Sequence, residues 1–488
     1  MRFLDWAILI GSLGVVLFQA WWCSRKTNTN EDYFVGNRTM PWLAVGLSLF
    51  ASAFSSLSFV GMPRAAAYED YHLFLAVLWI PLLVLPIVGW LFVPVYQRLA
   101  LTSAYEYLER RFNRKLRLAG SFLYAAYTIG WMGNILYATG IILQAALHLS
   151  SQELTMLLIS LGIFTTIYTT VGGYKAVVWT EVMQTILLAG TVIAILALAL
   201  GRVDGGITEV FRLGIQHDKF QMFDMRLDFN ARGNFFAACA YGFVYLAANA
   251  TSQSAVQRYA SMPDVASVRR SLLIKGLATV FVCFLFFFLG TTLFAFYTQH
   301  PAGADGGIFP PLPKADLLTL HFVQVEIPYQ GLLGLLLAGL AAAVMCSVSG
   351  GLNSLSALIV SDWLPNRKLG VNASRCWSVL FGAATIAMAM LAPYLGTHVF
   401  DILMKIAGAF FGPLLGLFVL GMLMPRANSG GAMIGLLAGL VSLAILFTSD
   451  IAAWWYGLFT FAPTLVVGAA ASLCFKKPMV DPGLTFFR

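Results

Sequence analysis

Apolar runs of about 20 residues recur along the whole chain, separated by short polar or Gly/Pro-bearing segments, and a run of that length crosses a bilayer as a helix. Thirteen are expected, near residues 3–23, 41–63, 73–97, 118–148, 152–171, 177–201, 233–257, 271–298, 331–361, 376–393, 397–424, 430–448 and 452–474. Only a helix satisfies every backbone polar group within such a run, so the pattern predicts an all-α integral membrane protein. Three runs are not uniformly apolar. The second carries LFASAFSSLS at 49–58, followed by Gly61 and Pro63; the seventh carries ANATSQS at 248–254; the ninth, Gly331 to Trp363, has small and hydroxylated residues at its centre. In the ninth, Ala343, Cys346 and Ser347 stand at i, i+3 and i+4 and share a helical face. Ion binding explains that face, and so does close helix packing, which favours small residues in bilayers.

Runs two and seven open two consecutive groups of five, and each is interrupted halfway by small polar residues. Matching interruptions point to a midplane site between inverted repeats. Serines that bond back to their own helix carbonyls would also bend a helix there. The expected organisation is an additional span and inner loop at 1–40, a first repeat at 41–201, an outer loop at 202–232, a second repeat at 233–424, and two further spans with a short tail at 425–488.

Composition excludes a soluble chain: 59% of the residues are hydrophobic and 11% charged, with mean hydropathy +0.79. Six cysteines lie singly, which argues against a disulfide framework or a metal site. The first twenty residues read as a retained span, not a signal peptide. With the N-terminus outside, 21 of the 30 basic residues fall on the inner side, Arg258 and Lys275 among them, which supports a cytoplasmic C-terminus. The +8 net charge then reflects topology and anionic lipid, not a nucleic-acid partner. All six histidines fall at outer ends or loops, and no catalytic constellation lies within the spans. The chain therefore reads as no enzyme, with no cofactor and no obligate protein partner.

Several motifs resemble the sodium:solute symporter family. They are DYFVG at 32–36, GGYKAVVWTE at 172–181 followed by Gln184, Gln257-Arg258, Leu352-Asn353-Ser354 and GAFFGPLLGLFVLG at 408–421. The resemblance implies a LeuT-like 5+5 inverted repeat with broken first helices and alternating access; the short loops point to a plasma membrane, a bacterial inner one. It implies a sodium site between spans two and nine, using carbonyls of Ala51, Phe54 and Ala343 with side chains of Cys346 and Ser347. Sodium is a hard cation that prefers oxygen, which the carbonyls of a broken helix supply. Three positions depart from the family pattern: Cys346 replaces Ser or Thr, Gly350 replaces a hydroxyl found where a second sodium binds, and Glu181 replaces Asp. Sulfur is a poor sodium ligand, and together the departures favour one coupled sodium over two.

For the solute, the resemblance implies a cavity lined by Ser55, Ser58, Trp131, Asn134 and Gln253 and by the start of span eleven, where Lys405 lies. Hydroxyls, amides and an indole suit a small polar solute, and core packing also accounts for Trp131. Lys405 either faces the cavity, binding an anion or pairing with Asp401, or snorkels to the headgroups. The expected function is sodium-driven uptake of a sugar, sugar acid or carboxylate. The alternative is a sodium-independent facilitator or sodium leak on the same scaffold.

Overall fold

The computed structural model describes residues 2–25, 29–230, 234–303, 307–365, 370–395 and 399–486, and no strand occurs among them. In chain order, α1 (Phe3–Ser24) precedes a bent pair, α2 (Trp42–Ala51) and α3 (Ser56–Tyr68). Then follow α4 (His72–Ile87, continuing to Leu99), α5 (Arg114–Leu147) and α6 (Ser151–Leu200). A second bent pair, α7 (Phe235–Ala250) and α8 (Gln253–Ala260), leads to α9 (Val265–Gln299), α10 (Leu332–Leu358) and α11 (Val371–Leu391). The chain closes with α12 (Val399–Leu423), α13 (Ser429–Phe447) and α14 (Tyr456–Leu473). The pairs bend by 68° at α2/α3 and 48° at α7/α8, in the two runs whose polar interruptions the sequence displays.

Thirteen spans is not the count obtained. Among the described residues, nine helices are long and apolar enough to cross a membrane, or eleven if each bent pair is one span. One reason is that the expected fifth and sixth runs continue into each other as the 50-residue α6, which at 1.5 Å per residue would be about twice a bilayer's thickness. Gly173 divides it, with φ +62° and ψ −161°, a backbone conformation that L side chains rarely adopt. A Cβ on Gly173 would lie 2.8 Å from the Tyr33 ring, and one on Gly172 would lie 3.1 Å from the Ala20 backbone. The glycine pair of the 172–181 motif is therefore where the chain turns and packs closely.

α10 is the hub. Eighty-nine per cent of its apolar window is buried, against 17% for α1, and it packs against α1, α5, α6, α8 and α11. Its N-terminal end is capped from another helix. Asp5 of α1, 3% exposed, accepts from Gly331 N at 2.9 Å and Gly334 N at 3.1 Å. A Cβ on Gly334 would lie 2.3 Å from the Asp5 carbonyl oxygen. The carboxylate thus neutralises free N–H groups at the positive end of the helix. Asp5→Ala is expected to lower stability by about 1–2 kcal/mol, with Asp5→Asn milder, in thermal unfolding of the purified protein.

The loop after α6 is tied down as well. Buried Lys219 donates to the carbonyls of Ala67 and Glu69, at 2.8 and 2.9 Å, closing the C-terminal end of α3. On the other flank, Gly408, Gly412 and Gly416 of α12 let it approach Tyr456, Thr460 and Thr464 of α14.

Candidate functional site

The α2/α3 break is made by residues that compete with the helix for its own hydrogen bonds. The last turn of α2 tightens, with Ala53 N on Phe50 O at 3.0 Å and Phe54 N reaching both Phe50 O and Ala51 O, at 3.1 and 3.2 Å. Ser55 is then extended, at φ −116° and ψ 163°, and its hydroxyl caps α3 by accepting from Ser58 N at 3.4 Å. Among the described residues no donor reaches the Phe54 carbonyl, and the Ala51 carbonyl keeps one lone pair. Stacking of Phe54 on Phe286, centroids 5.4 Å apart, fixes the turn. α10 packs on both α2 and α3. The break and the small-residue helix are thus brought together, as the sodium assignment requires.

On α10, Ser347 is 7% exposed and its hydroxyl donates to Ala343 O at 3.4 Å, a long bond that leaves the oxygen's lone pairs available. Cys346 behaves differently. Its thiol donates to Gln184 Oε1 on α6 at 3.0 Å, while the buried Gln184 Nε2 has no partner. The side chain at 346 is therefore engaged with α6, and Gln184, which the sequence offers only as the end of a motif, stands next to the site. Tyr168 O–H donates to Met345 O at 3.1 Å and further holds this turn of α10 to α6.

Beside these residues lies a buried ionic network. Arg258 of α8 donates through Nη2 to both oxygens of Glu181 on α6, at 2.8 and 2.9 Å, through Nε to Ser48 Oγ on α2 at 2.8 Å, and through Nη1 to Ser254 O at 3.0 Å. Ser48 Oγ in turn donates to Glu181. Both charged side chains are at most 3% exposed. A Cβ on Gly350 would fall 3.0 Å from Arg258 Nη2 and 3.3 Å from Glu181 Oε1. Two departures noted in the sequence, Gly350 and Glu181, thus meet in one place, where a guanidinium occupies the interior.

The expected solute residues separate. Ser55 and Ser58 lie at the break, their hydroxyls 3.4 Å apart. Trp131 is half-buried and tilts on Tyr127 at 5.7 Å, and Tyr127 meets Phe411 of α12 at 4.5 Å. Asn134 is buried, and its Nδ2 donates to Gly130 O of its own helix at 2.9 Å. Gln253 does not join them. It is fully buried, accepting from Ala104 N at 2.8 Å and donating to Thr102 O at 3.1 Å, so its amide stitches α8 to the loop between α4 and α5. Lys405, half-buried, falls within about 60° of Gly408, Gly412 and Gly416 around α12, and about 120–140° from Phe410 and Phe411. That register sets it on the α14 side of the helix, away from the aromatic cluster. The Asp401 side chain lies outside the described residues.

Two basic residues assigned to the inner side are in fact interior: Arg258 is 2% and Lys275 4% exposed. Charge counting treats every lysine near a span end as a loop residue, which hides them. Lys275 lies within the eighth run of the sequence, and that position was the available signal.

The family model for the sodium:solute symporter family matches residues 33–439. The sodium/sialic acid symporter NanT of Aliivibrio fischeri is 30% identical over 97% of this chain and 94% of that one. SiaT of Proteus mirabilis, also a sodium/sialic acid symporter, is 30% identical over 97% and 95%. The human sodium/iodide cotransporter is 35% identical over 84% of this chain and 64% of its own length. Among solved structures, the substrate-bound outward-open state of a Na+-coupled sialic acid symporter superposes with a TM-score of 0.88 at 28% identity, over 98% of this chain and 99% of that one. Mhp1, of the nucleobase-cation-symport-1 family, shares the fold at a TM-score of 0.60 and 12% identity, over 92% and 95%.

Proposed function

The chain belongs to the sodium:solute symporter family, and on that premise we propose that it imports a small carboxylate-bearing solute, a sugar acid foremost, with one sodium per cycle. It is a multi-pass, sodium-coupled membrane transporter and not an enzyme. The observation that carries the reading is that the helix break, with its free Phe54 carbonyl and half-used Ala51 carbonyl, belongs to a helix pair packed on α10, where the Ser347 hydroxyl has only a long bond to Ala343 O. These are uncharged oxygens suited to a monovalent hard cation. The acid is supported by two relatives matched over nearly their full length, both named for sialic acid. A single sodium is supported by Arg258, whose buried guanidinium beside Gly350 repels a second cation there. Ser55, Ser58, Trp131 and Asn134 are the proposed solute contacts; Lys405 rests on the family resemblance alone. The excess of inner basic residues supports an outside N-terminus and a cytoplasmic C-terminus, in a bacterial inner membrane.

Stoichiometry has a direct electrical consequence. One sodium carried with a neutral sugar would move one charge, worth about 2.3 kcal/mol per 100 mV, or roughly fifty-fold accumulation. One sodium carried with a monoanion moves none. In proteoliposomes with an inward sodium gradient, sialic acid is expected to accumulate, and an inside-negative potassium diffusion potential is expected to leave its rate unchanged. Stimulation by the potential would contradict the pairing of one sodium with one monoanion. Equilibration without accumulation would identify a facilitator.

A further inference from the structure

α9 carries a charge into its apolar run. Lys275 lies about 6 Å past the start of the run at 271–298 and is 4% exposed. Such a charge is expensive unless paired or wetted. Its Nζ donates to Asn249 Oδ1, and it stands 5.3 Å from the centre of the Tyr245 ring. Among the described residues no carboxylate is within ion-pair distance of it. Glu181, the acid of the adjacent helix α6, is closed on Arg258.

Asn249 is held rigidly just before the α7/α8 break. Its Nδ2 donates to Tyr245 O at 2.8 Å, and its own carbonyl accepts from Tyr259 O–H at 2.9 Å. Tyr245 Oη is buried and has no hydrogen-bond partner among the described residues. An ammonium has three donors, of which Asn249 takes one. Tyr245 and Asn249 stand at i and i+4 on one face of α7, so the ammonium and the phenol ring lie beside one another just before the break. What is missing is an anion with oxygen or halide lone pairs. A neutral hydroxylated solute would leave the positive charge uncompensated.

We infer that Lys275 and Tyr245 form a monoanion subsite at the α7/α8 break. The inference rests on the symport reading above and adds to it the residues that take the negative charge. The solute's carboxylate and a free halide share the required chemistry. Neither Lys275 nor Tyr245 belongs to the sodium shell, so their removal separates anion affinity from sodium affinity.

The test uses the full-length protein in proteoliposomes, with radiolabelled sialic acid under a sodium gradient. Lys275→Met is expected to raise the KM for sialic acid about tenfold or more, with half-saturating sodium changed by less than about twofold. Lys275→Arg should keep most of the affinity. Tyr245→Phe, which removes only an oxygen with no hydrogen bond, should raise KM about threefold and report even if Lys275→Met unfolds. Exchanging chloride for gluconate distinguishes the sources. If the solute carboxylate fills the subsite, the unsubstituted protein is indifferent to the exchange. If a halide fills it, uptake falls in gluconate, and Lys275→Met abolishes that dependence. Unchanged KM and no anion dependence in both Lys275→Met and Tyr245→Phe, with normal uptake by the unsubstituted protein, would overturn the subsite alone. Failure of the unsubstituted protein to accumulate any of sialic acid, lactate or iodide would remove the symport reading, and the subsite with it.

Discussion

Replacing Ser347 by alanine is expected to abolish sodium-stimulated uptake at physiological sodium, by raising the half-saturating sodium concentration at least about tenfold. A hydrogen-bond-strength contact to a charged group is worth about 1.5–3 kcal/mol, and 1.4 kcal/mol is a factor of ten. Ser347 is the only proposed ligand that contributes a hydroxyl oxygen; the others are carbonyls, which substitution cannot remove, and Cys346, whose thiol is turned to Gln184. The Ser347 hydroxyl has only a long bond back to Ala343 O, so alanine leaves no buried donor stranded and the variant should fold. Cys346→Ser is expected to act in the opposite direction, supplying a harder ligand and lowering half-saturating sodium. Sodium titrations of initial uptake rate, with melting temperatures as a folding control, check both.

The second large effect is on stability. Glu181→Gln leaves the Arg258 guanidinium buried without its counter-charge, and breaking such a pair costs about 3–5 kcal/mol. Arg258→Met strands Glu181 in the same way. The double variant Glu181→Gln with Arg258→Met is expected to be more stable than either single one, because it removes both desolvated charges. Thermal unfolding of the four purified proteins measures the coupling. Three helices meet through this pair, α2 by Ser48, α6 by Glu181 and α8 by Arg258, so the single variants should also lose uptake at temperatures where they remain folded.

Much of this architecture is legible in the chain. Run length gives the helices, and the polar interruptions at 49–58 and 248–254 give both breaks, because serine and threonine side chains compete locally for backbone groups. Run length reads α6 as two spans, at 152–171 and 177–201, and the positive φ of Gly173 marks the turn between them. The proposed ion site rests on local features, a break and an i, i+3, i+4 face. The polar contacts that fix its neighbourhood are not local. Glu181 with Arg258, and Lys275 with Asn249, pair across 77 and 26 residues, and periodicity within one helix carries no information about which face meets which partner. Gln253 illustrates the reverse: its place beside the break suggests a ligand, whereas its amide is engaged with Ala104 N and Thr102 O of the loop between α4 and α5.

Equilibrium binding of 22Na+ to the purified protein tests the central claim most directly, since it reports the site without transport. The unsubstituted chain is expected to bind one sodium saturably, Ser347→Ala to lose that binding, and Cys346→Ser to tighten it. Unchanged affinity in Ser347→Ala would place the ion elsewhere, and two sodium ions per chain would contradict the assignment of the interior beside Gly350 to the Arg258 guanidinium.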